Sequence, residues 1–171
     1  MKSIVIYSSL TGNTKQVAEA MTSVLPAGTP CVSMKEVPSD LSSYDLVFAG
    51  FWVDKGTANK EARDVLGTLH NPYIALFATA GVPPQMAHAK ESLINAANCL
   101  PDGVEPVGTF ICQGKVDPKV IEMMYKMFPK GHSHGQSADR DARHKQAAVH
   151  PNEDDFKAAQ DFAKDILIKL S

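Results

Sequence analysis

The strongest constraint on this chain is an alternation. Short apolar runs at residues 3–7, 31–34, 45–51, 73–79 and 107–112 are separated by stretches of helical periodicity. The first run, Ser-Ile-Val-Ile-Tyr, is β-branched and continuously apolar, as in a strand buried on both faces. Residues 13–25 follow with Val17, Ala18, Met21, Val24 and Leu25 on one helical stripe, ended by Pro26, Gly28 and Pro30. Residues 59–69 and 85–100 read as two further helices. A last helix carries Phe156, Ala159, Ala163, Ile166, Leu167 and Leu170 at helical spacing, with Pro151 and an acidic run at 153–155 suited to its positive N-terminal end. Strands alternating with helices require right-handed crossovers, so the pattern predicts an α/β fold with a parallel sheet covered on both faces.

The 171 residues make one domain, 1–171, able to bury about 70% of its unfolded surface without disulfide or metal support. Residues 113–150 exceed what a minimal five-unit fold needs. Within them, 118–128 reads as a helix bearing Val120, Met123, Met124 and Met127, 138–149 as another, and Gly-His-Ser-His-Gly at 131–135 as a mobile loop between them. The methionine face is expected in the core, with a surface that meets a partner or covers a ligand as the alternative. The segment leaves open a lid, a homodimerisation arm or a docking surface.

Charge excludes several function classes. With 17 basic and 19 acidic residues, nothing favours nucleic acid or an anionic membrane as partner. No apolar run approaches the ~18 residues that span a bilayer, and the first is too short for a signal peptide. Cys31, Cys99 and Cys112 form no close pair, so they are expected as reduced, mostly packing thiols in a cytoplasmic protein. Four of the six histidines fall at 132, 134, 144 and 150, without the second fixed pair that a metal site would call for; no metal site is expected. No hydrolytic triad and no catalytic side chain is evident, and Glu61 and Asp64 read as a solvated helix face.

The informative residues follow the first strand directly: Ser8-Ser9-Leu10-Thr11-Gly12-Asn13-Thr14, with a helix opening at once. A helix N-terminus offers unpaired N–H groups and partial positive charge, Gly12 permits close backbone approach, and the hydroxyls and Asn13 amide add donors. Taken alone, the stretch also suits a hydroxyl-rich turn with a capped helix. Its place at the carboxyl end of the first strand, where open α/β sheets bind ligands, favours an anion site. No GxGxxG and no GxxxxGK[ST] competes with it.

Ser-Leu-Thr-Gly-Asn-Thr resembles the [ST]-x-T-G-N-T phosphate loop of the flavodoxin family, and the order of strands and helices is similar over nearly the whole chain. The resemblance implies a doubly wound five-stranded parallel sheet of order 2-1-3-4-5, with a helical insertion before the last helix. It also implies flavin mononucleotide (FMN) as cofactor. Ser8, Ser9, Leu10, Thr11, Gly12, Asn13 and Thr14 would surround its phosphate. A second family loop matches Phe51, Trp52, Val53 and Gly56. There Trp52 would stack on the ring, core packing being its alternative, and Gly56 would allow the peptide reorientation that flavodoxins use at the reduced ring. A third loop matches Thr79, Ala80 and Gly81. Unlike common flavodoxins it has no aromatic residue, so one ring face is open or covered from elsewhere, such as the methionine-bearing insertion. The chain also lacks the strongly acidic charge of flavodoxin carriers.

These features predict an FMN-binding electron-transport protein working between a reductase and an acceptor protein. The alternatives are an NAD(P)H-dependent quinone or small-molecule reductase (an oxidoreductase proper) and a flavin-free interaction domain. FWVDKGTAN at 51–59 and FICQGKV at 110–116 also look similar to a flavodoxin-like subfamily associated with bacterial bilirubin reduction, which implies an auxiliary electron donor.

Overall fold

The computed structural model describes residues 1–171. Strands β1 (Ser3–Tyr7), β2 (Cys31–Ser33), β3 (Leu46–Asp54), β5 (Tyr73–Ala80) and β6 (Gly108–Gln113) form a parallel sheet in the order β2-β1-β3-β5-β6. This is the expected doubly wound order with one addition. β3 continues past residue 51 and turns back through the two-residue strand β4 (Thr57–Ala58), antiparallel to it. The turn between them carries positive φ at Lys55 (49°) and Gly56 (77°), the pattern that suits a two-residue hairpin to strand twist.

Strand alternation sorts the apolar residues into two cores. Ile4, Ile6, Val47, Ala49, Phe51, Ile74, Leu76 and Ala78 face one side and pack against Ala62 and Leu66 of α2 (Lys60–Leu66) and Ala96 of α3 (Ala87–Ala97). Val5, Leu46, Phe48, Ala75 and Phe77 face the other and meet Val17, Ala18 and Met21 of α1 (Asn13–Thr22) and Ala159, Ala163 and Ile166 of α6 (Glu153–Lys169). Because both faces are covered, the central strands read as unbroken apolar runs. The last helix starts with a reciprocal cap: the Asn152 side chain accepts from the Asp155 N–H and the Asp155 carboxylate accepts from the Asn152 N–H.

The segment 113–150 departs most from expectation. Its helices α4 (Pro118–Met127) and α5 (Ala138–Ala147) are present, but α4 buries none of its residues. Met123 is 55% and Met127 66% exposed, so the methionine face is not core. The helices are joined by Tyr125, whose hydroxyl donates to the Asp141 carboxylate at 2.9 Å and lies 3.1 Å from His144 Nδ1. At the Gly-His-Ser-His-Gly loop, Phe128 stacks on the His132 ring at 4.7 Å and meets the tilted His134 ring at 5.4 Å, centroid to centroid.

Candidate functional site

A cavity of about 240 Å³ opens at the carboxyl edge of the sheet, where β1, β3, β5 and β6 hand over to their loops. Ser9, Leu10, Thr11, Asn13 and Thr14 line one side of it. Gly12, at φ 97°, is the N-cap of α1 and leaves the helix end without a side-chain cap. The Ser9 hydroxyl accepts from the Gly12 N–H at 3.1 Å, and the first helical bond runs from Gln16 N–H to the Gly12 carbonyl at 3.0 Å. The N–H groups of Asn13, Thr14 and Lys15 consequently have no carbonyl within the helix. No acidic residue occupies this first turn, so the positive end of the helix is uncompensated and suited to an anion.

The opposite side is built by Trp52, Val53 and Asp54 at the end of β3, and by Thr79, Ala80 and Gly81 at the end of β5. Trp52 is half-buried and belongs to the cavity wall. The hydroxyls of Thr14 and Thr79 lie 2.9 Å apart, joining the first loop to the third and leaving one O–H of the pair free to donate.

Three of the sequence-predicted residues point elsewhere, two of them because a strand's side chains alternate in direction. Ser8 continues the Ile4–Ile6 face, away from the cavity. Its hydroxyl donates to the Glu61 carboxylate and accepts from Asn59 Nδ2 at 2.8 Å. Glu61 is thus half-buried and engaged, not part of a solvated face, whereas Asp64 does lie outside, paired with Lys60 at 2.6 Å. Phe51 is fully buried among the core residues that face α2 and α3. Gly56 sits in the hairpin turn beyond the cavity wall, its carbonyl accepting from Asn95 Nδ2 of α3 at 2.8 Å.

The remaining wall comes from the insertion: Gly114, Lys115, Val116, Asp117 and Val120. None of these was singled out from the motif, which ends with the third loop. Two signals could have found them: β6 lies beside β5 in the expected strand order, and Asp-Pro at 117–118 marks a capped helix start. Asp117 does accept from the Lys119 N–H at 2.8 Å. The wall is fastened to both neighbouring loops. Asn13 Nδ2 donates to the Lys115 carbonyl at 2.8 Å, Gly114 N–H to the Ala80 carbonyl at 2.8 Å, and Gln113 Nε2 to the Gly81 carbonyl at 3.3 Å. A Cβ on Gly114 would lie 2.8 Å from Asn13 Nδ2, so this approach requires glycine.

The cavity therefore pairs a cradle of uncharged donors with an aromatic and aliphatic wall, the donor set that a planar aromatic bearing a phosphate ester requires. Asp54, Asp117 and Lys115 are its charged groups. Cys112, just below, is buried, and its thiol is pushed up to about 12 by burial and secondarily by the Asp155 charge. It is a neutral packing group. Nowhere in the chain do three or more His, Cys, Asp or Glu side chains converge as a metal site would need.

Comparison with known proteins agrees with this architecture. The family model of the flavodoxin domain matches residues 4–164. A flavodoxin-like domain-containing protein, BilS, from Clostridioides difficile is 35% identical, covering 100% of this chain and 99% of its own. Among solved structures, a Streptococcus pneumoniae flavodoxin superposes with a TM-score of 0.58 at 14% identity, covering 99% of both chains. A Lactobacillus acidophilus flavoprotein, described in complex with FMN, gives 0.51 at 18% identity over 65% of this chain and 93% of its own. With the family model covering nearly all of it and a relative alike from end to end, this chain belongs to the flavodoxin family.

Proposed function

We propose that this chain binds FMN in the cavity at the carboxyl edge of its sheet and carries electrons between a reductase and an acceptor protein. The uncapped, uncompensated N-terminus of α1 carries the reading, because it opens onto a cavity walled by the chain's one tryptophan. Support comes from the similarly folded Lactobacillus flavoprotein, described with FMN. The bound flavin would supply one- and two-electron redox chemistry, and the protein the binding, orientation and electrostatics.

Each residue's part follows from its position. The free N–H groups of Asn13, Thr14 and Lys15, with the Ser9 and Thr11 hydroxyls, would hold the phosphate dianion without a positively charged side chain. The Thr14–Thr79 pair fixes the distance between the phosphate loop and the third loop. Trp52 would stack on the ring, worth about 0.5–1.5 kcal/mol beyond the area it buries. Val116 and Val120 exclude water on the side where the third loop has no aromatic residue. Asn13 positions that wall through Lys115.

The stretches at 51–59 and 110–116, similar to the bilirubin-reduction subfamily, favour a bilirubin-reducing enzyme as acceptor. The three free cysteines suit a reducing, cytoplasmic setting. Titration of the purified protein with FMN and with riboflavin tests the reading. We expect stoichiometric FMN uptake and riboflavin binding weaker by about tenfold or more, the phosphate supplying the difference. Protein that takes up neither would overturn it. Anaerobic mixing with NADH or NADPH should leave the flavin colour nearly unchanged; rapid bleaching would make the chain a reductase in its own right.

A further inference from the structure

We infer that the arm formed by α4 and α5 is a docking surface for a small acidic electron-carrier protein of the ferredoxin class. The inference rests on the redox reading above for the nature of the partner, but the surface is argued from the arm itself.

First, α4 is amphipathic yet fully buries none of its apolar residues: Val120, Ile121 and Met124 are half-buried, and Met123 and Met127 are exposed. Val120, Met123 and Met127 fall at i, i+3 and i+7, one stripe about 10 Å long. Val120 lines the cavity, whereas Met123 and Met127 are largely exposed. The stripe therefore runs from the cavity mouth outward, and a protein seated on it is held at that mouth. Methionine is the residue best able to conform to a partner's surface. A single helix face of this size suits the small interfaces, below about 1,200 Å², of transient electron-transfer pairs.

Second, the arm's charge opposes that of the rest of the chain. Residues 113–150 hold seven of the 17 basic residues and four of the 19 acidic ones. That leaves ten basic against fifteen acidic elsewhere. The arm's acids are mostly engaged: Glu122 pairs with Lys126 at 2.7 Å, Asp117 caps α4, and Asp141 accepts from Tyr125 and Gln136. Lys115, Lys119 and Lys130 are exposed and form no ion pair. An apolar stripe flanked by uncompensated amines is complementary to an apolar patch rimmed by carboxylates. Charges so placed steer encounter and orient the complex.

Third, the arm is fixed in place at the cavity by the Asn13–Lys115 and Ala80–Gly114 bonds. Its root cannot swing away without breaking contacts to two of the loops that build the site.

The test titrates the full chain with an acidic two-cluster ferredoxin by calorimetry, before and after FMN addition. We expect association that weakens about tenfold between about 20 and about 300 mM salt, as the Debye length contracts. The double variant Lys119→Glu/Lys130→Glu should weaken it about tenfold, and Met123→Ser/Met127→Ser about fivefold. Neither pair lines the cavity or is buried, so FMN affinity and the circular dichroism spectrum should be unchanged. No association, or association indifferent to both variants, overturns the inference. So does a homodimer of the chain alone that Met123→Ser/Met127→Ser dissolves, since the face would then belong to a second copy. FMN uptake without ferredoxin binding rejects the surface and spares the redox reading; ferredoxin binding without FMN uptake does the reverse.

Discussion

Replacing Gly12 by alanine isolates the backbone's part in anion binding. At φ 97° the residue lies beyond the left-handed well near 57°, and an L-residue held there costs about 1–2 kcal/mol. The added methyl meets no close neighbour, the nearest atom being Gln16 Nε2 at 4.0 Å, so the effect is conformational and not steric. Before ligand binds, one hydrogen bond to Ser9 Oγ holds the Gly12 N–H, and the alanine loop should relax toward negative φ. FMN must then restore the strained form, which lowers its affinity about 5- to 30-fold. Riboflavin, without the phosphate, does not need the cradle and should lose less than about twofold, within the scatter of a surface substitution. Fluorescence titration of both ligands against both proteins measures the difference. Equal losses for FMN and riboflavin, or no loss for FMN, would refute the claim that the α1 N-terminus holds the phosphate.

Four further outcomes are expected. Gly114→Ala should displace the Asn13 amide from the Lys115 carbonyl, costing about 0.5–1.5 kcal/mol, read as a lower melting temperature and a shifted α4 in amide exchange. Ser8→Ala leaves Asn59 Nδ2 and the Glu61 carboxylate without their shared partner, for a loss of about 1–3 kcal/mol and a fall of roughly 2–10 °C in melting temperature. Cys112 should resist thiol reagents in the native protein and react only on unfolding, whereas the half-buried Cys31 and Cys99 react earlier; native modification of all three at one rate would contradict its burial. Burial, and then the Arg140 charge, holds His144 below its ordinary value of 6.5, so its folded form prefers to be neutral. The unfolded arm therefore binds more protons, and the stability from His144 is present above about 6.5 and lost as pH falls toward the folded value. Protection of the α5 amides, taken as the intrinsic exchange rate at each pH divided by the observed rate, should fall between neutral and mildly acidic pH, and a His144→Gln variant should flatten that dependence.

The alternation of strands and helices and the anion-suited opening of α1 were legible because each rests on local pattern, whereas the sheet order and the place of Trp52 came through the flavodoxin resemblance. A buried parallel strand is a plain apolar run, and a helix opening directly after it announces its own anion site. What the sequence hid was phase and partnership. In Phe51-Trp52 both residues are aromatic, and an unbroken apolar run does not say which lies over the core and which over the cavity. Ser8 was hidden the same way, since its strand-derived direction, not its hydroxyl, sends it to Glu61. The stripe on α4 has the spacing of a buried face; only tertiary structure shows that Met123 and Met127 are left exposed. The cavity wall at 114–120 was legible only as an insertion that could cover an open ring face, with no residue of it assigned to the site. It is brought to the site by the neighbouring strand β6, from a hundred residues along the chain.

The clamp on the hairpin turn has a consequence for the edge of the site. Turning the peptide at Gly56 would require surrendering the Asn95 amide and displacing a link to α3. This rim should accordingly behave as a stiff bracket, holding Trp52, Val53 and Asp54 at one distance from the opening of α1.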